Sequence, residues 1–187
     1  MSPHSTPADP LAVRLRILYR LYEHLRDHDL TRESGTSRLL RAPDPPLLRA
    51  RLADELAELA GVADGSHRHH GWPEDVTLEG SQVCYWTLVW AVGAGAPYAE
   101  LRPADCLRDA PASTPSQAAA RGRELAERIR SGTEPPPEVW AAALRQVGVV
   151  CAACGVGPAE VVEYDLAQMA ARPYLASVYA NLSAQES

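Results

Sequence analysis

Glu55 and Glu58 stand three residues apart in a leucine-rich stretch, and Glu79 and Gln82 repeat that offset further along the chain. Residues three apart share a helix face, so each pair points one way. If the two helices are antiparallel neighbours, four oxygen-bearing side chains converge on one site. Clustered carboxylate oxygens suit Mg²⁺ or Mn²⁺, which take hard ligands. Such an ion polarises a phosphoryl group and lowers the pKa of an attacking water. The competing reading is an exposed acidic face that meets only solvent.

Between the two pairs lies the oddest local sequence in the chain, Asp64–Asp75, which holds Gly65, His67, His69, His70, Gly71, Trp72, Pro73 and Glu74. It reads as an ordered loop; the plainer alternative is a mobile polar one. Its histidines can steady phosphate charge, shuttle a proton near neutral pH or help to bind metal. A zinc site is not expected from His-x-His-His alone, because adjacent rings cannot all face one ion. Trp72 is placed to stack on a base or to cap the bundle. Tyr85, Trp86 and Trp90 read as core. Cys151-x-x-Cys154 has the spacing of a redox or half-zinc motif. It sits in the apolar run VGVVCAACGVG, and neither Cys84 nor Cys106 supplies a matching pair, so buried core thiols are expected.

The elements that must position these groups read as helices. Leu11, Leu15, Leu18, Leu21, Tyr22 and Leu25 give one buried stripe over Leu11–Arg26. A polar connector containing Gly35 follows. Leu48, Leu52, Leu56 and Leu59 form the apolar side of a helix from about Leu47 to Val62, with Gly61 and Gly65 loosening its end. The next helix begins near Val76, ends at Gly93 or Gly95 and is apolar nearly all round. Residues 97–109 read as a short helix or turn, and Ala110–Ser116 as a linker. Helices follow over Gln117–Arg130 and Glu138–Cys154, with Ser131–Pro137 between them. The last starts after Pro158 and is kinked or divided at Pro173. The fold class is therefore all-α, with a disordered lead-in over residues 1–10 and a single helical domain over residues 11–187.

Composition narrows the function. The chain has 187 residues, 18 basic against 24 acidic, and a net charge of -6. Every basic residue is arginine. Duplex nucleic acid usually demands a basic footprint, and none is evident. No run of eighteen apolar residues suggests a membrane span. Four cysteines are too few for a disulfide scaffold in a chain of this length, and a cytoplasmic location is expected.

The stretch LADELAEL (Leu52–Leu59), followed by EGSQVCYWTLVWAVGAGAPYAEL (Glu79–Leu101), resembles the all-α nucleotide pyrophosphohydrolases. These include the phosphoribosyl-ATP pyrophosphohydrolases, to which the second stretch is most similar, the MazG proteins and the dimeric dUTPases. Glu55, Glu58 and Glu79 match the family's acids, and Gly95 its helix-ending glycine. The resemblance implies a helical bundle that binds Mg²⁺ through these acids and cleaves the α–β phosphoanhydride of a nucleotide or phosphoribosyl nucleotide. It also implies a homodimer, with bundles completed across the interface. By this reading Glu55, Glu58 and Glu79 are catalytic and ligate metal together with Gln82. Gln82 departs from the family, which has an aspartate there; an amide oxygen brings no charge, and Glu74 and Asp75 are the nearby acids that could compensate. The family's lysine and asparagine positions are not evident, so Arg51, Arg121, Arg123 and Arg172 are the basic candidates to meet phosphate. The expected substrate-binding set is Arg51, His69, His70, Trp72 and Arg172.

The second half also resembles the first. RELAER (Arg123–Arg128) sets Glu124 and Glu127 opposite Glu55 and Glu58, and CAACGVGPAEVV sets Gly155 opposite Gly95. If this is a duplication, modules 11–110 and 117–187 share a scaffold, and the second has lost its ligands: Val139 and Ala142 replace Glu79 and Gln82. Three functions follow: a divalent-metal-dependent hydrolase that releases pyrophosphate, a non-catalytic nucleotide- or partner-binding protein on the same scaffold, or another transformation of a phosphorylated metabolite.

Overall fold

Capping side chains and prolines start most of the helices. The computed structural model describes residues 9–186. Asp9 accepts a hydrogen bond from the Leu11 N–H at 3.2 Å and Pro10 opens α1 (Pro10–Asp27). Ser34 caps α2 (Gly35–Arg41) and Asp44 caps α3 (Pro45–Asp64), each accepting from the backbone N–H three residues on. These contacts satisfy donors that the first helical turn leaves unpaired. After α4 (Glu74–Gly93) come two short helices, α5 (Tyr98–Leu101) and α6 (Pro103–Arg108). Thr114 and Gln117 form a reciprocal capping box at the start of α7 (Pro115–Ser131). The chain then runs through α8 (Pro136–Cys154), α9 (Pro158–Ala170) and α10 (Ala176–Glu186). Among the described residues there is no strand.

α3 and α4 form one hairpin, α7 and α8 another. α3 packs on α7 and α4 on α8, closing a bundle in the cyclic order α3, α4, α8, α7. α1 lies over α9, α2, α4 and α10. The leucine stripe Leu48, Leu52, Leu56 and Leu59 is buried as its spacing predicts, each side chain contributing about 1.5–3 kcal/mol. Gly122 lets α7 close on α3: a Cβ there would lie 3.1 Å from the Ala60 Cβ and 3.1 Å from the Gln146 Nε2. Arg123 meets Asp64 while Arg130 meets Asp54, so α7 runs antiparallel to α3.

Several sequence expectations are corrected. The polar connector after Arg26 contains α2, held by Ser37, whose buried Oγ donates to the Leu25 carbonyl at 2.8 Å. Gly61 does not loosen a helix end; it is buried within α3, which continues to Asp64 and stops at Gly65 in a left-handed conformation. At Pro173, where a kink or a division is expected, the last helix is divided into α9 and α10. Of the expected disordered lead-in, residues 1–8 lie outside the described residues, whereas Asp9 and Pro10 belong to the start of α1. All four cysteines are free and buried. No single helix among the described residues is long and apolar enough to cross a membrane.

Candidate metal centre

The centre sits at the turn from α3 to α4. α3 brings Glu58, α4 brings Glu79 and the connecting loop brings His67 and His69. One donor atom from each of the four lies within 4.8 Å of every other. His69 Nε2 is 3.3 Å from Glu79 Oε1, and His67 Nε2 is 3.7 Å from it. His67 Nε2 lies 3.8 Å from Glu58 Oε2. The two imidazole Nε2 atoms face each other at 2.8 Å. At that distance one ring must donate and the other accept, or both must turn lone pairs to a cation.

The set fits a divalent ion. Neighbouring donors each about 2.1 Å from one ion stand roughly 3.0–3.5 Å apart, close to several of these separations. Glu79 is only 2% exposed. Burial, and secondarily the charge of Glu58, push its carboxyl above the ordinary value, with the two histidines opposing the shift. A buried carboxylate beside a like charge is costly without a cation. Mixed imidazole and carboxylate donors admit Mn²⁺, Fe²⁺ and Zn²⁺ at least as readily as Mg²⁺.

The loop owes its shape to Asp75, in the first turn of α4. The backbone N–H groups of His69, His70 and Gly71 donate to its two carboxylate oxygens at 2.9, 2.8 and 2.9 Å. Burial alone would raise this carboxyl, but the three N–H donors outweigh it and hold it at about 2. Gly61 supplies the other constraint. A Cβ on it would lie 2.6 Å from the His67 Cβ, so only glycine lets the loop fold back on α3. The His67 N–H donates to the Gly61 carbonyl at 3.0 Å and closes the return.

No family model, no curated protein and no solved structure matches this chain.

The structure brings together Glu58, Glu79 and His69 of the expected site, with His67. Glu55 lies beside the cluster, nearly buried, with Oε1 accepting from Arg51 Nη2 at 2.8 Å and Trp86 Nε1 at 3.2 Å. Burial first, then the neighbouring charge of Glu58, push its carboxyl up to about 7 against the opposing pull of Arg51. Arg51 also stacks 5.2 Å from the centroid of the Trp86 ring, so that tryptophan borders the site besides packing on the core. Other expected residues line separate cavities. Gln82 and Arg172 line one of about 820 Å³ beside α2 and α9, and His70 and Trp72 one of about 360 Å³ that His67 and Asp75 also border. Asp75, a candidate compensating ligand by sequence, uses its oxygens instead to organise the loop backbone. The signal for its actual role was an acid just inside a helix start, directly after a Gly-containing loop.

Proposed function

We propose that this chain is a divalent-metal-dependent hydrolase that cleaves the α–β phosphoanhydride of a nucleotide or phosphoribosyl nucleotide and releases pyrophosphate. The observation that carries the reading is the convergence of Glu58, His67, His69 and Glu79, together with the acidic-helix pattern that resembles the all-α nucleotide pyrophosphohydrolases. An ion held there would activate water and neutralise phosphoryl charge. Glu58 and Glu79 supply anionic ligands, and His67 and His69 supply nitrogen donors. The nitrogen donors favour Mn²⁺, Fe²⁺ or Zn²⁺ as the resident ion, with Mg²⁺ as the hard-ligand alternative. Glu55 keeps Arg51 and Trp86 in place at the edge of the site through its Oε1. His70 and Trp72 are proposed to meet the substrate from the cavity that His67 also lines, whereas Arg172 lines a cavity that none of the four cluster residues borders.

The scaffold supports this reading. The α3–α4 and α7–α8 hairpins repeat the same local devices: Gly65 and Gly132 end the first helix of each, and Gly95 and Gly155 follow the second, all with positive φ. We take them as the products of a duplication, with α3–α4 as the copy that kept its ligands. One chain then supplies both halves of the bundle, and a homodimer would join bundles already complete. Four free thiols suit a reducing, cytoplasmic setting.

Calorimetric titration with Mn²⁺, Zn²⁺ and Mg²⁺, followed by a screen of nucleotides for released pyrophosphate, tests the proposal. Binding that disappears in Glu58→Gln and Glu79→Gln, with pyrophosphate release lost in parallel, is the expected result. Absence of divalent binding to the wild type would refute it. The second reading, a non-catalytic nucleotide-binding protein, is favoured by Gln82, which is neutral where the resembled family has an acid. Metal and nucleotide binding without turnover of any nucleotide would establish that one instead.

A further inference from the structure

Resting on the reading of the cluster as a divalent centre, we propose that the arginines of α7 form an anion subsite beside it, built for a chain of two or more linked phosphoryl groups. A cavity of about 400 Å³ lies between α3 and α7. Glu58 and His67 of the cluster line it, and so do Arg51, Arg123, Arg130 and Ser66. An ion on Glu58 and His67 would therefore border the same space that three guanidinium groups line.

Each guanidinium is held in place by an acid. Arg123 Nη2 lies 2.6 Å from Asp64 Oδ2 and 3.1 Å from Ser66 Oγ. Arg130 reaches Asp54 at 3.0 Å and Glu127 at 2.6 Å. Arg51 reaches Glu55 at 2.8 Å. These contacts use one or two of the five N–H donors that each guanidinium carries. Arg123 and Arg130 are 45% and 39% exposed and their partners Asp64 and Asp54 25% and 46%, and ion pairs at such exposure are weak, typically below about 1 kcal/mol. A phosphoryl group, with its higher charge and its match to the guanidinium fork, competes well against them. The carboxylates thus pre-orient the arginines without closing the subsite.

Because Glu58 and His67 line the same cavity as the arginines, a chain of linked phosphoryl groups could meet the ion at one end and the guanidiniums at the other. The subsite would hold the pyrophosphate portion, while the ion acts at the bond that joins it to the remainder of the nucleotide. The α3–α4 hairpin then carries the chelate together with Arg51, and α7 adds Arg123 and Arg130.

The test uses the full chain with Mn²⁺ and calorimetric titration of inorganic phosphate, pyrophosphate and tripolyphosphate. Affinity is expected to rise along that series. Arg123→Gln and Arg130→Gln should each weaken tripolyphosphate binding about tenfold while Mn²⁺ affinity stays unchanged. Unchanged tripolyphosphate affinity in both arginine variants, with circular dichroism showing them folded, overturns the subsite. If Mn²⁺ does not bind the wild type, the metal reading falls by itself. The subsite then stands only if the same variants weaken tripolyphosphate binding to the metal-free chain, and falls otherwise.

Discussion

The hydrogen bonds of Asp75 go to the loop backbone, and through it the residue fixes where two of the four donor side chains stand. With three consecutive N–H groups on its oxygens, it does for the loop what a cap does for a helix end. Asp75→Ala should weaken divalent binding about 10- to 100-fold, the usual cost of losing a group that orients metal ligands, with calorimetry as the measure. Asp165 offers a separate residue-scale prediction. It lies in the wall of the large cavity beside α9 and accepts a hydrogen bond from the Tyr22 hydroxyl, with Tyr85 nearby. Burial pushes its carboxyl up to about 6, against the opposing effect of that bond. The folded chain therefore holds a proton that the unfolded chain has already released. This contribution to stability is complete below the ordinary value of 3.8 and is lost as pH rises through about 6. Asp165→Asn stays neutral throughout. Its stability relative to wild type should improve by roughly 2 kcal/mol between pH 4 and pH 7, read from thermal or urea unfolding at each pH.

Gly61 shows how an element can serve a site by what it lacks. Gly61→Ala should leave α3 intact, since alanine is the better helix former by about 1 kcal/mol, but the added methyl collides with the His67 Cβ. The expected outcome is unchanged helical circular dichroism together with clearly weaker Mn²⁺ binding; equal binding would show that the loop has another way back onto α3. The leucine spacing of α1 and α3 was legible because a buried stripe repeats over several turns. α2 was not, because seven residues with only Ser37 and Leu40 buried give no period to read. The acids of α3 and α4 were legible as a pair of helix faces. The histidines could not be assigned from sequence, because their orientation depends on Asp75 and Gly61, contacts that no spacing rule encodes.

At the scale of the molecule, one chain closes a four-helix bundle from two hairpins, and the groups that could hold an ion belong to only one of them. Ion binding should stabilise the native state by about 2.7 kcal/mol at a hundredfold excess over Kd. That gain should appear as a higher Tm with Mn²⁺ and vanish in Glu79→Gln. Whether the intact chain also dimerises is answered by light scattering, with the bundle requiring no partner to close. The chelate's confinement to the segment from Glu58 to Glu79 has a consequence for the order in which the protein comes apart. Every donor lies within one helical hairpin and its connection, so separating α7 and α8 from the rest removes packing but not a single ligand. With Mn²⁺ bound, graded denaturation should loosen the second hairpin first and release the ion last. Amide hydrogen exchange should then show α7 and α8 opening while the His67–Asp75 loop stays protected.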